Sequence, residues 1–332
     1  MRIVMMGTGL FAEPTFEALL ASPHTVVGLV TQPDRVAGQE RGSTRQTGRG
    51  MKTIAVERNL PVLQPESINT PDGVAALSAM NPELLVVAAY GQILSKVVLA
   101  VPPLGGVNVH ASLLPKYRGA APIAWAIYHG ETRTGVTIIR MTIGLDAGDM
   151  LAQESVEIGV HETAGEVEAR LAPVGARLAL GVLARMEMGS VPGTKQDAAL
   201  VTKAPKLKKE NGLIDWSQSV VQVCNQIRAM QPWPTAYTFL HVKGKPPIRI
   251  IINRAVPGGV ASFGLGPAGP SAGKMFVRAG TTPELIVWAG MPQPGGVQIL
   301  ELQPAGKRRM SAEDFLRGRR PGPDDFFGPE QP

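Results

Sequence analysis

The chain is poorest in cysteine: Cys224 stands alone among 332 residues. A single thiol excludes an internal disulfide framework and any metal site built on clustered cysteines, and its ordinary role is that of a small buried apolar side chain. Long apolar runs are also missing. The longest, Leu84 to Ala89, is far too short to span a bilayer, so no membrane association is expected. Met1-Arg2-Ile3-Val4 enters an apolar strand directly with no signal-peptide pattern, which gives the expectation of a soluble, reduced, cytoplasmic protein. No GxSxG elbow and no phosphate-loop lysine occur, which argues against an α/β-hydrolase or a nucleoside triphosphatase. Outside His110 the histidines (His24, His129, His161, His241) show no ligand spacing, so no metal is expected.

What is present suits two domains, since 332 residues with 44% apolar content can bury two cores. The first half alternates short Val/Ile/Leu-rich runs (Arg2–Met6, Val26–Thr31, Leu84–Ala89, Val107–His110) with helical patterns at 12–21, 52–58, 73–80 and 121–129. Such alternation predicts an α/β, Rossmann-like, mostly parallel sheet, which 135–139 and 150–156 extend before a long helix at 163–188. The character then changes. Residues 191–209 read as a polar linker. Beyond them one helix (220–230) precedes short β-like runs separated by Gly/Pro-rich turns, the style of a small β-barrel or OB-like domain over 210–318. The tail, 319–332, is expected to be flexible.

The chemistry concentrates between Gly106 and Asp149. Asn108 and His110 lie two apart on a β-branched run, so a strand there sends both side chains from one face. Asp146 follows between Gly144 and Gly148, where a supple loop can carry a carboxylate to the ring. An amide donor beside a carboxylate-oriented imidazole fits a reaction in which a carbonyl becomes an oxyanion while a nucleophile sheds a proton. Acyl or one-carbon transfer is the expected class. Tyr90-Gly91, at the end of the apolar run 84–89, offers backbone for close approach by a heterocycle, on the side of the sheet where open α/β folds place ligands. A competing signal is Gly7-Thr8-Gly9-Leu10-Phe11-Ala12, which satisfies GxGxxA and suggests an NAD-dependent dehydrogenase. The acidic residue such a site needs is replaced by Thr31 and Gln32, so a tight strand-to-helix turn is preferred.

Net charge is +6, gathered in loops at 35–52, 203–209 and 307–320, which raises the prospect of phosphate contacts on one face.

At these residues the chain resembles the 10-formyltetrahydrofolate-dependent formyltransferases, and within them most closely those that act on methionyl-tRNA. The resemblance runs nearly end to end. It includes Thr31-Gln32-Pro33-Asp34-Arg35, the block 108–123, Gly135-Val136-Thr137-Ile138 and Gly144-Leu145-Asp146-Ala147-Gly148-Asp149. In the second half it includes Lys206-Leu207-Lys208-Lys209-Glu210, Gln231-Pro232-Trp233-Pro234 and Met310-Ser311-Ala312-Glu313-Asp314. It implies a folate-binding catalytic domain over 1–190 and a tRNA-binding barrel at 210–318. Asn108, His110 and Asp146 would form the catalytic group, and Ser112, Leu113, Leu114 and Pro115 would line the folate site with Tyr90 and Gly91. The implied partners are initiator methionyl-tRNA and 10-formyltetrahydrofolate as co-substrate, with the protein a monomer. The loop after Asp34-Arg35 corresponds to a tRNA-contacting insertion, but it departs from the usual pattern, reading Val36-Ala37-Gly38-Gln39-Glu40-Arg41-Gly42. Arg41 is the nominated contact, with Arg45 and Arg49 in reserve and Lys206 and Lys208 further along. A formyltransferase acting on an amino-sugar nucleotide shares the same trio and stays open as the alternative; the basic insertion and the segment 307–314 favour tRNA.

Overall fold

The computed structural model describes residues 1–34, 49–189, 191–258, 271–280, 282–290, 294–322 and 324–331. Arg41 and Arg45 lie outside them. Two compact units result: Met1–Ile123 with Arg133–Ile158 and Glu166–Lys206, and Ala124–Thr132 with Gly159–Gly165 and Leu207–Pro332.

In the first unit β1 (Arg2–Gly7), β2 (Thr25–Val30), β3 (Val62–Leu63), β4 (Leu84–Ala88) and β5 (Gly106–His110) pair in parallel in the order β3-β2-β1-β4-β5. A two-residue strand, β6 (Arg118–Gly119), stands apart. Then β7 (Arg133–Arg140) joins β5 antiparallel and β8 (Met150–Glu157) joins β7 antiparallel, completing seven strands. The sheet is mostly parallel, as its apolar runs predict. Strands β1 and β4 are buried almost throughout because both faces are covered. The helices are α1 (Glu13–Leu20), α2 (Met51–Glu57), α3 (Pro71–Ala79), the single turn α4 (Lys96–Leu99), α5 (Pro122–Tyr128), whose last five residues belong to the second unit, and α6 (Ala164–Glu187). Pro14 sits in the first turn of α1, where its missing N–H costs nothing. The Thr70 hydroxyl caps α3 by accepting from Gly73 N at 3.1 Å.

The turn Gly7–Ala12 is a packing device. A Cβ on Gly7 would lie 2.7 Å from Ala12 Cβ and 2.9 Å from Ala88 O, so only glycine lets α1 start this close to β4. Where a dinucleotide's pyrophosphate would sit, the first turn of α1 instead carries Glu13, whose carboxylate accepts from Arg49 N and Gly50 N, both at 3.2 Å.

The expected linker is ordered structure. Gln196 and Thr202 bind the loops around residues 117–148, and β9 (Lys203–Ala204) pairs in parallel with β6. Polar composition hid this, because between buried Val191 and Ala204 the segment is held by hydrogen bonds.

In the second unit α7 (Val220–Ala229) is capped by the Ser219 hydroxyl, which accepts from Gln222 N. It precedes β10 (Ala236–His241), β11 (Ile248–Pro257), β12 (Met275–Arg278), β13 (Glu284–Ala289) and β14 (Gly295–Pro304). After these come β15 (Met310–Ser311), α8 (Ala312–Gly318) and β16 (Phe326–Gly328). The sheet is antiparallel and curls as a half-barrel in the order β12-β13-β14-β11-β10-β16, with β15 on β14. The tail read as flexible is corrected here. Phe326–Gly328 pairs with β10, and Phe327 is 1% exposed and stacks on Trp216 at 5.9 Å. The hydroxyl of Thr238 accepts from Trp216 Nε1 at 3.1 Å and donates to Gly328 O at 3.1 Å. Two adjacent phenylalanines outweighed the surrounding prolines and glycines. No described helix is long and apolar enough to cross a membrane.

Candidate active site

Strand β5 runs between β4 and β7, with Asn108 opposite Val87 and Ile139, and His110 opposite Thr137. Period-two geometry sends Asn108 and His110 from the same face, as their spacing predicts. Asp146 reaches them from the β7–β8 loop. That loop leaves β7 beside Gly106, at the amino end of β5, since Met141 N donates to Gly106 O at 2.8 Å. It therefore folds back across the sheet to meet Asn108 in mid-strand, a route that no spacing in the sequence announces.

The three side chains converge. Asn108 Nδ2 donates to Asp146 Oδ1 at 3.3 Å, and Gly119 N donates to Asp146 Oδ2 at 2.8 Å. His110 Nδ1 stands 3.6 Å from the same Oδ2, close enough for ion pairing but longer than a hydrogen bond. The side chains of His110 and Asp146 are 5% and 10% exposed, so their mutual field is little screened. His110 Nε2 lies 3.0 Å from Tyr117 O. A carbonyl only accepts, so this contact assigns the Nε2 proton and leaves Nδ1, facing Asp146, as the basic nitrogen. The Asn108 amide has a second N–H to offer a substrate oxygen.

Two backbone positions give the site its shape. Asp146 has φ 49° and Tyr117 has φ 63°, both in the left-handed region. Asp tolerates this conformation through local hydrogen bonds; a bulky aromatic does so only where its surroundings fix it.

The segment 112–115 is clamped from below. The Thr137 hydroxyl, fully buried, donates to Ser112 O at 2.6 Å and accepts from Leu114 N at 3.1 Å and Gln153 Nε2 at 2.8 Å. The Ser112 hydroxyl donates to Lys116 O at 2.7 Å. Ser112 and Leu114 thus shape the loop from inside, and Leu113 and Pro115, half-buried, present side chains at its surface. Tyr90 is 2% exposed and belongs to the core cluster with Val4, Val30, Leu85 and Val98; burial pushes its phenol up to about 12. Its ring faces that core, so any ligand contact at 90–91 falls to the backbone. Tyr90 O accepts from Gln32 Nε2 at 2.9 Å, and Gly91 is exposed with φ 83°.

Of the basic residues, Arg49 pairs with Glu57, a half-exposed ion pair that a phosphate exchanges at little cost. Lys206 and Lys208 are exposed on either side of buried Leu207. Sequence reasoning missed Gln153, Thr137, Gln196 and Thr202, polar residues whose roles depend on which loop passes over them. Ile93, Ile143 and Leu145 are exposed at 69%, 73% and 58% on the loops after Gly91 and before Asp146.

Comparison with known proteins fits this geometry. The family model described as formyl transferase matches residues 1–183, and that of the formyl transferase C-terminal domain matches 206–320. A methionyl-tRNA formyltransferase from Citrifermentans bemidjiense is 41% identical over 330 residues, covering 99% of this chain and 96% of that one. Another from Acidobacterium capsulatum is 42% identical over 333 residues, covering 99% and 100%. The chain belongs to the methionyl-tRNA formyltransferase family. Among solved structures, an N-formyltransferase from Helicobacter canadensis, in complex with folinic acid and dTDP-3-aminofucose, superposes with TM-score 0.62 at 14% identity. That likeness covers 90% of this chain and 98% of the other and shows a shared fold alone. For a member of the methionyl-tRNA formyltransferase family, the face of β5 between the 112–117 loop and the Asp146 loop is the candidate active site.

Proposed function

We propose that this chain transfers the formyl group of 10-formyltetrahydrofolate to the free amino group of methionyl initiator tRNA. The reading is carried by the convergence of Asn108, His110 and Asp146 on one strand face, in a chain matched end to end by methionyl-tRNA formyltransferases. The folate co-substrate supplies an activated formyl carbon. Leu113 and Pro115 fit a flat heterocycle as an apolar wall, and Gly91 and Tyr90 O fit its polar edge as backbone groups; both segments leave the carboxyl ends of adjacent strands, β5 and β4.

The residues divide the work by charge. As the methionyl amine attacks, Asn108 directs its second N–H at the formyl oxygen where negative charge builds. His110 takes the proton shed by the amine on Nδ1, because Nε2–H is committed to Tyr117 O, and Asp146 stabilises the resulting imidazolium. A new N–C bond forms, the bond to folate N10 breaks, and N10 gains a proton in exchange for the one lost by the amine.

The test is incubation with formylated folate and either charged initiator tRNA or an amino-sugar nucleotide. Formyl-methionine on the tRNA is the expected product; formyl transfer to the sugar alone overturns the assignment. Asn108→Ala should cost about 100- to 1000-fold in kcat, the usual penalty for a lost oxyanion donor.

A further inference from the structure

The groups that touch His110 and Asp146 are themselves held by one stretch of chain, Gln196 to Ala204. Gln196 Nε2 donates to Asp146 O at 2.7 Å and Gly148 O at 2.8 Å, straddling the left-handed turn that presents the carboxylate. Its Oε1 accepts from Arg118 Nε at 3.0 Å and from an Arg118 terminal nitrogen at 2.8 Å. Six residues on, Thr202 takes two consecutive backbone donors: Oγ1 accepts from Tyr117 N at 2.8 Å and its carbonyl accepts from Arg118 N at 2.9 Å. Tyr117 is the strained residue whose carbonyl orients the His110 ring. Finally, β9 pairs with β6, placing Gly119, whose N–H donates to Asp146 Oδ2.

A bulky residue with φ 63° and a carboxylate-bearing turn with φ 49° persist only where neighbours over-determine them. Here Thr202 does so for the ring's acceptor and Gln196 for the carboxylate. Gln196 suits its place because one amide both donates and accepts. Glutamate there would face two carbonyls with acceptors alone, and leucine would face them with nothing.

We infer that the segment 196–204 is a positioning strap, with Gln196 and Thr202 setting the distance between His110 Nδ1 and Asp146 without touching substrate. This rests on the formyl-transfer reading above. A shift of about 1 Å in a reacting group costs on the order of 100-fold in rate, so the signature is a loss of kcat and not of binding.

The experiment measures single-turnover and steady-state formylation by the full chain carrying Gln196→Leu, Gln196→Glu or Thr202→Val, and by Gln196→Leu combined with Asp146→Asn. Each single variant should lower kcat about 10- to 100-fold while both KM values stay within about twofold. Gln196→Leu should cost less than about twofold further once Asp146 is already asparagine, because a residue acting through another has nothing left to act on. Gln196→Glu keeps the Arg118 partner and guards against a variant that fails to fold. Normal kcat in a folded Gln196 variant, a loss confined to KM, or an equal further loss in the Asp146→Asn background overturns the proposal. If Asp146→Asn by itself leaves kcat unchanged, the formyl-transfer roles fail first. If Asp146→Asn lowers kcat and the Gln196 variants do not, the strap alone fails.

Discussion

Replacing Thr137 with valine isolates the clamp beneath the 112–115 loop, since the two side chains have the same shape and no cavity opens. The buried hydroxyl serves Ser112 O, Leu114 N and Gln153 Nε2. Gln153 retains a second acceptor, Leu114 O, at 3.0 Å, so its loss is partial. Ser112 O and Leu114 N are stranded, and each buried unsatisfied group costs about 1–3 kcal/mol. The extra buried methyl returns about 0.8 kcal/mol. The net expectation is a destabilisation of about 1–5 kcal/mol for Thr137→Val, against about 1 kcal/mol for Thr137→Ser, which keeps the hydroxyl and loses the methyl. Two units make a single unfolding transition unsafe to assume, so the readout is local: amide exchange at Leu114, together with the urea transition of the first unit. Exchange at Leu114 should accelerate by at least about 5-fold in the valine variant, the equivalent of about 1 kcal/mol, and by less than that with serine. Should valine prove milder than serine, packing and not hydrogen bonding fixes this loop, and the account of the clamp is wrong.

Other outcomes follow from single observations. Gly119→Ala places a Cβ 2.4 Å from Ala204 O at φ 128°, so it should break the β6–β9 pairing and lower formylation by more than about 10-fold, read from kcat with both substrates saturating. Burial pushes the Cys224 thiol up to about 12, so it should resist a disulfide reagent at neutral pH until urea unfolds the second unit; prompt labelling of the native chain would contradict that. The same shift keeps the proton on the folded thiol while the unfolded one ionises, so the thiol's contribution to stability is whole below about pH 9 and declines toward pH 12. Arg41→Ala and Arg49→Ala should each weaken tRNA binding and flatten its logarithmic salt dependence by about one ion; an unchanged slope removes that residue from the phosphate contacts.

The fold class and the shared face of Asn108 and His110 were legible because both are periodic signals. Buried Val/Ile/Leu runs spaced by helical patterns specify the mostly parallel sheet, and a two-residue offset on β5 puts Asn108 and His110 on one face whatever surrounds them. The Phe326-Phe327 pair was readable in principle as an apolar anchor and was obscured by the prolines and glycines beside it. At Tyr90-Gly91 the reading was of backbone at a strand end, and there the Tyr90 ring packs into the core, which residue type alone does not decide.

The sequence by itself determined the fold class, an α/β sheet followed by an antiparallel β unit, and the strand that carries Asn108 and His110, because hydrophobic period and residue type act over a few neighbours. Tertiary structure alone decided how Asp146 arrives from the far end of β5, which nitrogen of His110 keeps its proton, and that Gln196 and Thr202 brace both. Those are outcomes of long-range hydrogen bonding, in which a polar side chain has several satisfactory partners and only the finished fold selects among them.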